Sequence, residues 1–498
     1  MVKIVTWGSC TNYLKIASEG QEPRSAGRLG LAQARPLKEC RTFTSDVVEQ
    51  HIQDVSNKIG NPDLRRLFEN CYVNTLDTSI SYNRRGDTGK EQTFVISGDI
   101  DAMWIRDSAQ QLHVYRKHIA EDKSIAALFR GVINTQVEYL VKHPYCNAFQ
   151  APLAAQRAGI LIKENPLAKD DIVHPKYDEQ DVYECKFQLD SVASFLQISV
   201  DYFEAMQDPL FFDDGWLDAV KTLLSVVEHE SMPTFSPSGT VDEASYRYQR
   251  PTTSASGTLN NNGYGNPVNK LVNGTLVRSA FRPSNAATSL QYLIPSNAYL
   301  AVMLEKAAEI ASSLIVGHET MQRMQKLAGD IRIGIERHGI VQHPSFGQVY
   351  AFEVDGYGGS VIMDEASFPN LIGLPLMDFV SSSNAIYENT RKLALSREGN
   401  PYYFERDNIK GIGSPSTGIG YIWPLSLLVA MQTSQSKSEV GEYLAIVLNS
   451  TAGMGLMHES INISNTSDYT RAWFGMANSM LGSTIEDVLT RFPGVIAA

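Results

Sequence analysis

The chain has no long hydrophobic run. No stretch of its 498 residues approaches the roughly 18 consecutive apolar residues of a membrane-spanning helix. At the N-terminus, the mixed run after Lys3 is broken by Gly8 and Lys15, so that no convincing signal peptide is present. We therefore predict a soluble protein without a membrane span. The sequence favours the cytoplasm and leaves the secretory pathway open.

An excess of positive charge is also missing. The formal net charge is −12, and no local cluster of lysines and arginines offsets it. Such a chain repels the phosphate backbone of a nucleic acid. Nucleic acid is therefore not an expected partner.

Cysteine is scarce and scattered. The five cysteines show no Cys-x-x-Cys spacing, which predicts neither a zinc site nor a disulfide framework. We expect most of them to be buried thiols. They are Cys10, Cys40, Cys71, Cys146 and Cys185.

Several catalytic motifs are absent. There is no GxxxxGK[ST] loop, and the run at 411–416 lacks the third glycine of a dinucleotide-binding loop. The His-Glu pairs at His229, His318 and His458 lack the second histidine of HExxH, and GxSxG does not occur. Kinase, dehydrogenase, zinc-protease and serine-hydrolase functions are thereby disfavoured.

Helical periodicity dominates what remains. Residues 1–37 read as an irregular leader, and 38–498 as a single domain. Apolar stripes at 217–227 and 300–311 predict helices, and strand-like runs are few and short, as at 348–354. Repeated helix pairs with long loops, the longest at 232–296, indicate a bundle or toroid whose loops carry the site. Further predicted helices lie at 46–58, 107–120, 123–142, 190–206, 319–338, 383–395, 424–434, 437–449 and 470–491.

The run GDIDAMWIRDS at 98–108 is the most informative segment. It combines three carboxylates, an arginine and a tryptophan in eleven residues. Carboxylates and guanidinium groups form bidentate hydrogen bonds to vicinal hydroxyls, and an indole covers the apolar side of a pyranose ring. The run therefore favours sugar binding. The alternative is a surface cluster of ion pairs.

Three other segments set carboxylates among aromatic residues. Asp190 follows Phe187-Gln-Leu at the start of a predicted helix and could be only an N-cap. Glu459 precedes a polar and aromatic stretch at 468–474. The acidic, glycine-rich run at 352–365 could be a calcium loop, but its spacing does not match an EF-hand.

Taken together, these segments resemble glycoside hydrolase family 125, the metal-independent exo-α-1,6-mannosidases, and its fungal branch in particular. The similarity runs in order from about Arg35 to Phe492. Its motifs are GDIDAMWIRDS, KFQLDS, SAFRPS, LIPSNA, EVDGYG, GIGSPSTG, YIWP and HES…TRAWF…ANS.

The resemblance implies an all-α fold, an (α/α)6 toroid. It also implies an enzyme that hydrolyses terminal non-reducing α-1,6-linked mannose with inversion of configuration and without a metal or cofactor. The expected partner is a mannose-containing oligosaccharide or N-glycan. Asp190 corresponds to the general acid and Glu459 to the general base. The implied substrate-binding residues are Asp99, Asp101, Met103, Trp104, Arg106, Asp107, Arg282, Asp355, Trp423 and Arg471.

The sequence departs from the family pattern at several positions. Asn285 and Ala286 stand where an acidic pair usually follows FRPS, Ser416 stands in place of a histidine, and Met476 replaces a tryptophan. These changes concern the α-1,6 specificity rather than the reaction type, since both catalytic carboxyl groups of the pattern are retained. Two alternatives therefore remain open: an exo-glycosidase of other linkage specificity, and a non-catalytic mannoside-binding protein.

Overall fold

The computed structural model describes residues 10–241, 245–272, 274–315 and 317–496. Its helices are α1 (Tyr13–Glu19), α2 (Asp46–Ser56), α3 (Pro62–Tyr72), α4 (Asn74–Thr78), α5 (Ile105–His113), α6 (Lys123–Lys142), α7 (Leu153–Arg157), α8 (Leu189–Met206), α9 (Asp214–Glu230), α10 (Ile294–Ser313), α11 (His318–His338), α12 (Ala385–Ala394), α13 (Pro424–Thr433), α14 (Lys437–Asn449), α15 (Gly475–Arg491) and α16 (Pro493–Ile496).

Short strands connect the helices. They are β1 (Ile80–Arg85), β2 (Glu91–Val95), β3 (Met103–Trp104), β4 (Ala148–Phe149), β5 (Ile172–His174), β6 (Val182–Glu184), β7 (Arg247–Gln249), β8 (Tyr292–Leu293), β9 (Ile340–His343), β10 (Gly347–Tyr350), β11 (Glu353–Val354), β12 (Ser360–Val361), β13 (Tyr403–Arg406), β14 (Ile409–Ile412), β15 (Tyr421–Ile422), β16 (Ile461–Asn462) and β17 (Asn465–Tyr469).

Five helices form most of a closed inner ring. Helix α15 packs on α5, α5 on α8, α8 on α10, and α13 returns to α15. Between α10 and α13 the ring is completed by the segment around the 3-10 turn Leu371–Gly373, where Phe368 contacts Tyr299 of α10. These helices are buried around much of their circumference. Helices α10 and α13 are largely apolar, as expected for helices enclosed on all sides, whereas α5 also buries polar and charged side chains. The predicted helical toroid is confirmed.

A second layer of helices covers the ring from outside. Helix α3 packs on α15, α6 on α8, α9 on α6, α11 on α10 and α14 on α13, while α12 lies against the 3-10 turn. In α11, for example, the buried residues Met324, Leu327 and Ile331 recur at helical spacing, and the opposite face is exposed. This amphipathic pattern is what a helix between core and solvent requires.

The strands gather where the inner helices begin. Strands β3, β8 and β15 lead almost directly into α5, α10 and α13. Each belongs to a three-stranded antiparallel sheet, with orders β3-β4-β6, β12-β11-β8 and β15-β16-β17. The sheets therefore fix the loops at the N-terminal end of the inner ring.

Most predicted helices are found close to their expected bounds, and the segment 123–142 matches α6 residue for residue. Two differences have clear local causes. Helix α3 was not among the predicted segments, although Asn61 caps it and Pro62 occupies its first turn. The segment predicted as a helix from residue 470 becomes helical only at Gly475, because β17 continues to Tyr469.

The leader is more ordered than the sequence indicated. Tyr13–Glu19 forms α1, and Leu31, Ala32 and Ala34 are buried. Tyr13 also makes an edge contact with Trp473 at 5.0 Å between ring centroids. The expectation of an irregular segment is therefore wrong for this part of 1–37, because its few apolar residues pack against the toroid. The domain division after residue 37 stays a prediction.

The cysteine expectation is wrong for four of the five residues. Cys10 bonds to Cys40 and Cys146 to Cys185, and only Cys71 is a free buried thiol. The partners are 30 and 39 residues apart in sequence. Their pairing depends on the folded backbone, which no spacing motif announces. Over the described ranges, no helix is long and apolar enough to cross a membrane.

Candidate active site

A pocket of about 460 Å³, including its open mouth, lies at the N-terminal end of the inner ring. Its walls come from loops that immediately precede the inner helices. The lining residues are Ser97, Asp99, Ile100, Trp104, Arg106, Asp107, Pro283, Ser284, Asn285, Ser367, Trp423, Glu459, Arg471 and Phe474.

The run at 98–108 forms one wall of the pocket. Gly98 has a φ of 120°, and a Cβ at this position would lie 3.1 Å from Trp473 Nε1. Glycine is therefore required for this close approach. The chain then enters β3 and α5, which place Trp104, Arg106 and Asp107 at the pocket.

Arg106 joins two acidic side chains at the base of the pocket. Its Nη1 donates to Asp190 Oδ2 at 3.0 Å, and its Nη2 lies 3.5 Å from Asp107 Oδ1. Asp190 itself does not line the pocket; it is fully buried behind Arg106, in the first turn of α8. Its Oδ1 has no hydrogen-bond partner among the described residues.

The surroundings of Asp190 favour its protonated form. Burial raises the pKa of Asp190, the ion pair with Arg106 opposes this rise, and the nearby charge of Asp107 adds to it. The net direction is upward. A carboxyl that keeps its proton at higher pH is suited to general acid catalysis.

Glu459 lies on the pocket wall, with its side chain 17% exposed. Its Oε2 accepts a hydrogen bond from Thr470 Oγ1 at 2.9 Å and lies 3.4 Å from Arg471 Nε. Arg471 also donates to Asp99 Oδ1 at 2.6 Å. Burial raises the pKa of Glu459, Arg471 and Thr470 oppose the rise, and Asp99 adds to it.

Aromatic rings complete the wall. Trp423 and Phe474 meet edge to face, with 5.9 Å between ring centroids. Trp423 Nε1 donates to Thr417 Oγ1 at 2.9 Å, which fixes the indole. Aromatic faces beside carboxylates and arginines suit a sugar, whose ring has both apolar and hydroxyl-bearing surfaces.

The structure brings together most of the predicted site residues. Six of the ten predicted substrate-binding residues line the pocket together with Glu459: Asp99, Trp104, Arg106, Asp107, Trp423 and Arg471. Their assigned roles stay predictions.

The other four substrate-binding predictions lie outside the pocket lining. Met103 is fully buried in the hydrophobic core. Asp101 is exposed and pairs with Lys163 at 2.8 Å. Asp355 accepts hydrogen bonds from the backbone N–H groups of Tyr357 and Gly359, and so shapes its own turn.

Arg282 is the fourth predicted substrate-binding residue that does not line the pocket. It is buried and donates to Glu353 at 2.6 Å and Glu365 at 2.5 Å, so that its guanidinium holds the loop beside the pocket. Glu365 also accepts hydrogen bonds from Ser284 and Ser414, and Ser416 contacts Ser414.

Several lining residues were not predicted as site residues: Ser97, Ile100, Pro283, Ser284, Asn285, Ser367 and Phe474. Most are small or weakly polar, and their residue types do not indicate chemistry. Pro283, Ser284 and Asn285 do follow Arg282 directly, so the motif around Arg282 was a usable signal. In the described parts of the chain, no group of three or more His, Cys, Asp or Glu side chains could hold a metal ion.

A helical toroid with carboxylates, arginines and indoles at the mouth of its inner ring defines a glycoside hydrolase of the (α/α)6 class. The family model of the metal-independent alpha-mannosidases, glycoside hydrolase family 125, matches residues 61–486. The chain belongs to this family.

Individual relatives agree with this assignment. The meiotically up-regulated gene 157 protein of Schizosaccharomyces pombe is 44% identical over 494 residues, covering 99% of this chain and 95% of the relative. A metal-independent alpha mannosidase of Streptococcus pneumoniae, solved as a non-productive complex with α-1,6-mannobiose, superposes with a TM-score of 0.79 at 30% identity, covering 90% of this chain and 99% of that one.

A more distant structure shares the fold alone. It is a bacterial glucoamylase in complex with acarbose, with a TM-score of 0.50 and 13% identity, covering 89% of this chain and 59% of that one.

Proposed function

We propose that the protein is an inverting exo-α-1,6-mannosidase that releases terminal non-reducing mannose from mannosides or N-glycans. The observation that carries the proposal is a pocket, in a member of family 125, that is lined by Glu459 and by Arg106, with Asp190 hydrogen-bonded to Arg106 directly behind the lining. The complex of the Streptococcus pneumoniae relative with α-1,6-mannobiose supports the choice of substrate.

The reaction needs one proton donor and one base. Asp190 gives its proton to the glycosidic oxygen as the bond from that oxygen to the anomeric carbon breaks. Glu459 takes a proton from a water molecule, whose oxygen bonds to the anomeric carbon from the opposite face. In inverting enzymes the two carboxyl groups stand about 6.5–9.5 Å apart to leave room for this water.

The contacts of the two carboxyl groups support this division of roles. Asp190 is fully buried, and Arg106 contacts only its Oδ2, which leaves Oδ1 to carry the proton. Glu459 reaches the pocket and is oriented by Thr470 and Arg471. The cation of Arg471 also favours the ionised state that a base requires.

A panel of α-linked mannobioses, with the product anomer followed by proton NMR, tests the proposal. We expect β-mannose as the first product, with α-1,6-mannobiose as the preferred substrate. Initial release of α-mannose would contradict inversion. Binding of mannosides by calorimetry without release of mannose would instead support a non-catalytic binding protein.

One observation favours a second candidate, an exo-glycosidase of other linkage specificity on the same toroid. Asn285, which stands where the family pattern has an acidic residue, lines the pocket. Ser416 is exposed, does not line the pocket and contacts Ser414. Faster turnover of an α-1,2- or α-1,3-linked mannobiose in the same panel would select this candidate.

The two disulfides bear on the compartment. Disulfides form and persist in oxidising environments and are rare in the cytosol of mesophiles. The pairs Cys10–Cys40 and Cys146–Cys185 therefore support folding in the secretory pathway, against the cytoplasmic preference drawn from the N-terminus. The disulfides are tested by purifying the protein from its native source, denaturing and alkylating it without reductant, and locating the modified cysteines by mass spectrometry. Only Cys71 should be modified.

A further inference from the structure

Three amide side chains lie at the pocket wall and directly behind it: Asn285 lines the pocket, and Asn147 and Gln188 are buried behind it. We call these three residues the amide chain. Arg106 Nη1, which contacts Asp190 at 3.0 Å, also donates to Gln188 Oε1 at 2.9 Å. One guanidinium nitrogen is therefore shared between Gln188 and Asp190.

The Gln188 amide is fixed at both ends. Its Nε2 donates to Asn285 Oδ1 at 2.7 Å and to the carbonyl of Arg282 at 3.0 Å, which turns Oε1 toward Arg106. Gln188 directly precedes α8, yet within the described chain its side chain does not cap that helix. The side chain is used to hold Arg106 instead.

Asn285 holds the other end of the amide chain. Its backbone is left-handed, with a φ of 65°, a region in which asparagine is tolerated better than most residues. Its carbonyl oxygen accepts a hydrogen bond from Lys186 Nζ at 3.3 Å. A backbone outlier at a pocket wall points to a positional requirement.

The Cys146–Cys185 disulfide clamps the segments that carry the amide chain. Asn147 follows Cys146, Lys186 follows Cys185, and the backbone N–H of Lys186 donates to Asn147 Oδ1 at 2.9 Å. The carbonyl of Asn147 accepts the N–H of Ile105, the first residue of the helix that carries Arg106, at 3.0 Å. The covalent link thus ties the Arg106 segment to the Gln188 segment.

We propose that Gln188 is a positioning residue: it competes with Asp190 for the hydrogen bond from Arg106 Nη1 and so limits how closely Arg106 pairs with Asp190. The Cys146–Cys185 disulfide keeps this arrangement fixed. The inference deepens the proposed function and rests on Asp190 being the general acid. The titratable groups that face Asp190 are Arg106 and Asp107 from α5 and Tyr299 from α10. Of these, only Arg106 contacts Gln188.

Two substitutions of Gln188 have opposite expected effects. Gln188→Met removes the competing acceptor, so that Arg106 pairs more closely with Asp190 and the alkaline limb of the pH profile moves down by about one unit. Gln188→Glu draws Arg106 away and adds a negative charge, so that the limb moves up by a similar amount. Both should lower kcat, by up to about a hundredfold, with little change in KM.

The control is Asn70→Leu, at another buried amide, which bonds to the backbone of Ala32 and Gly455. It should lower Tm without moving the alkaline limb. A limb that stays in place in both Gln188 variants, or that moves in the same direction in both, would overturn the proposal.

The disulfide part has its own matched pair. Cys146→Ser with Cys185→Ser should move the alkaline limb and lower kcat, whereas Cys10→Ser with Cys40→Ser should lower Tm alone. Equal behaviour of the two double variants would contradict a specific clamp.

A readout independent of turnover separates this inference from the proposed function. Infrared difference spectra between each protein and its Asp190→Asn counterpart follow the titration of the Asp190 carboxyl directly. A titration that moves in opposite directions in the Gln188 variants supports the inference even if no mannoside is hydrolysed, and that failure would count against the proposed function. An unmoved titration in an active enzyme would overturn the inference alone.

Discussion

The inner helices and most outer helices of the toroid begin in different ways; the exception is the outer helix α11, which starts at Gly317 without a side-chain cap. Outside, α3, α6, α9, α12 and α14 start with a side chain that accepts a backbone N–H from the first turn; these caps are Asn61, Asp122, Asp213, Asn384 and Ser436. Inside, five helices start at residues whose side chains cap nothing in the described chain: Trp104, Gln188, Leu293, Trp423 and Phe474.

Three of the five inner helices bond their first N–H group to a neighbouring loop. Ile105 donates to the carbonyl of Asn147, Leu189 to Ser279 Oγ, and Ile294 to the carbonyl of Phe352. These loop contacts bond the first N–H of each of the three helices, and the side chain at the N-cap makes no capping bond. At three of the five inner helix starts, Trp104, Trp423 and Phe474, the N-cap side chain lines the pocket. The residues that start most outer helices therefore stabilise those helices, whereas several residues that start inner helices contribute to the pocket.

The two carboxyl groups proposed as catalytic give the largest expected contrast between inner ring and outer ring. Glu459→Gln and Asp190→Asn should each lower kcat for α-1,6-mannobiose by about 10²–10⁴-fold or more, because each removes a proton transfer. The control is Glu439→Gln on the outer helix α14, where Glu439 pairs with Arg391. That variant should lose stability and keep its turnover. Near-normal hydrolysis in either catalytic variant would refute the assignment.

The pH dependence should report both carboxyl groups. Glu459 must be ionised, so kcat/KM falls as pH drops through its raised pKa; Asp190 must be protonated, so kcat/KM falls as pH rises through its raised pKa. Arg471→Met should move the acidic limb to higher pH, since the opposing cation is lost. Asp99→Asn should move it to lower pH, since a like charge is lost.

For these two variants the measurement to compare is the position of the acidic limb of the pH profile of kcat/KM. The absolute rate is less informative, because Arg471 and Asp99 also line the pocket and their loss changes substrate binding. Arg323→Met is the control, since Arg323 pairs with Glu228 on the outer layer. Movement of the limb in the same direction for Arg471→Met and Asp99→Asn would argue against Glu459 as the base.

Exchanging the helix starts tests the comparison directly. Ser436→Ala removes an outer cap and should lower the free energy of unfolding by about 1 kcal/mol, measured by urea denaturation, without loss of hydrolysis. Trp104→Ser supplies α5 with a side chain that could cap its first turn, but it should not raise stability, because the loss of the buried indole costs more than a cap contributes. It should lower kcat/KM instead. A more stable, fully active Trp104 variant would contradict the role of the inner helix starts.

The smallest effect is expected at Asp355. Its carboxylate accepts two backbone N–H groups within its own turn and does not line the pocket. Asp355→Ala should therefore cost about 1–2 kcal/mol of stability and leave kcat/KM for mannobiose within about twofold. A large rise in KM with unchanged stability would restore Asp355 as a substrate ligand.

The helices and about half of the residues that line the pocket could be predicted from the sequence alone. Apolar spacing predicted α6 over its full length, and the run at 98–108 was recognisable because its residue types are rare together outside a polar site. Outer caps such as Asn61 and Ser436 are equally local, since donor and acceptor lie within one turn. Order along the chain was enough for these features because periodicity and capping depend on neighbours.

Only the tertiary structure decided which polar residues face the pocket. Asp101 and Asp107 lie in the same run, yet one pairs with Lys163 at the surface and the other lines the pocket. The disulfides, the left-handed backbone of Asn285 and the shared guanidinium of Arg106 were likewise beyond the sequence. The disulfides and the shared guanidinium join segments tens of residues apart, so their geometry exists only after the ring has closed.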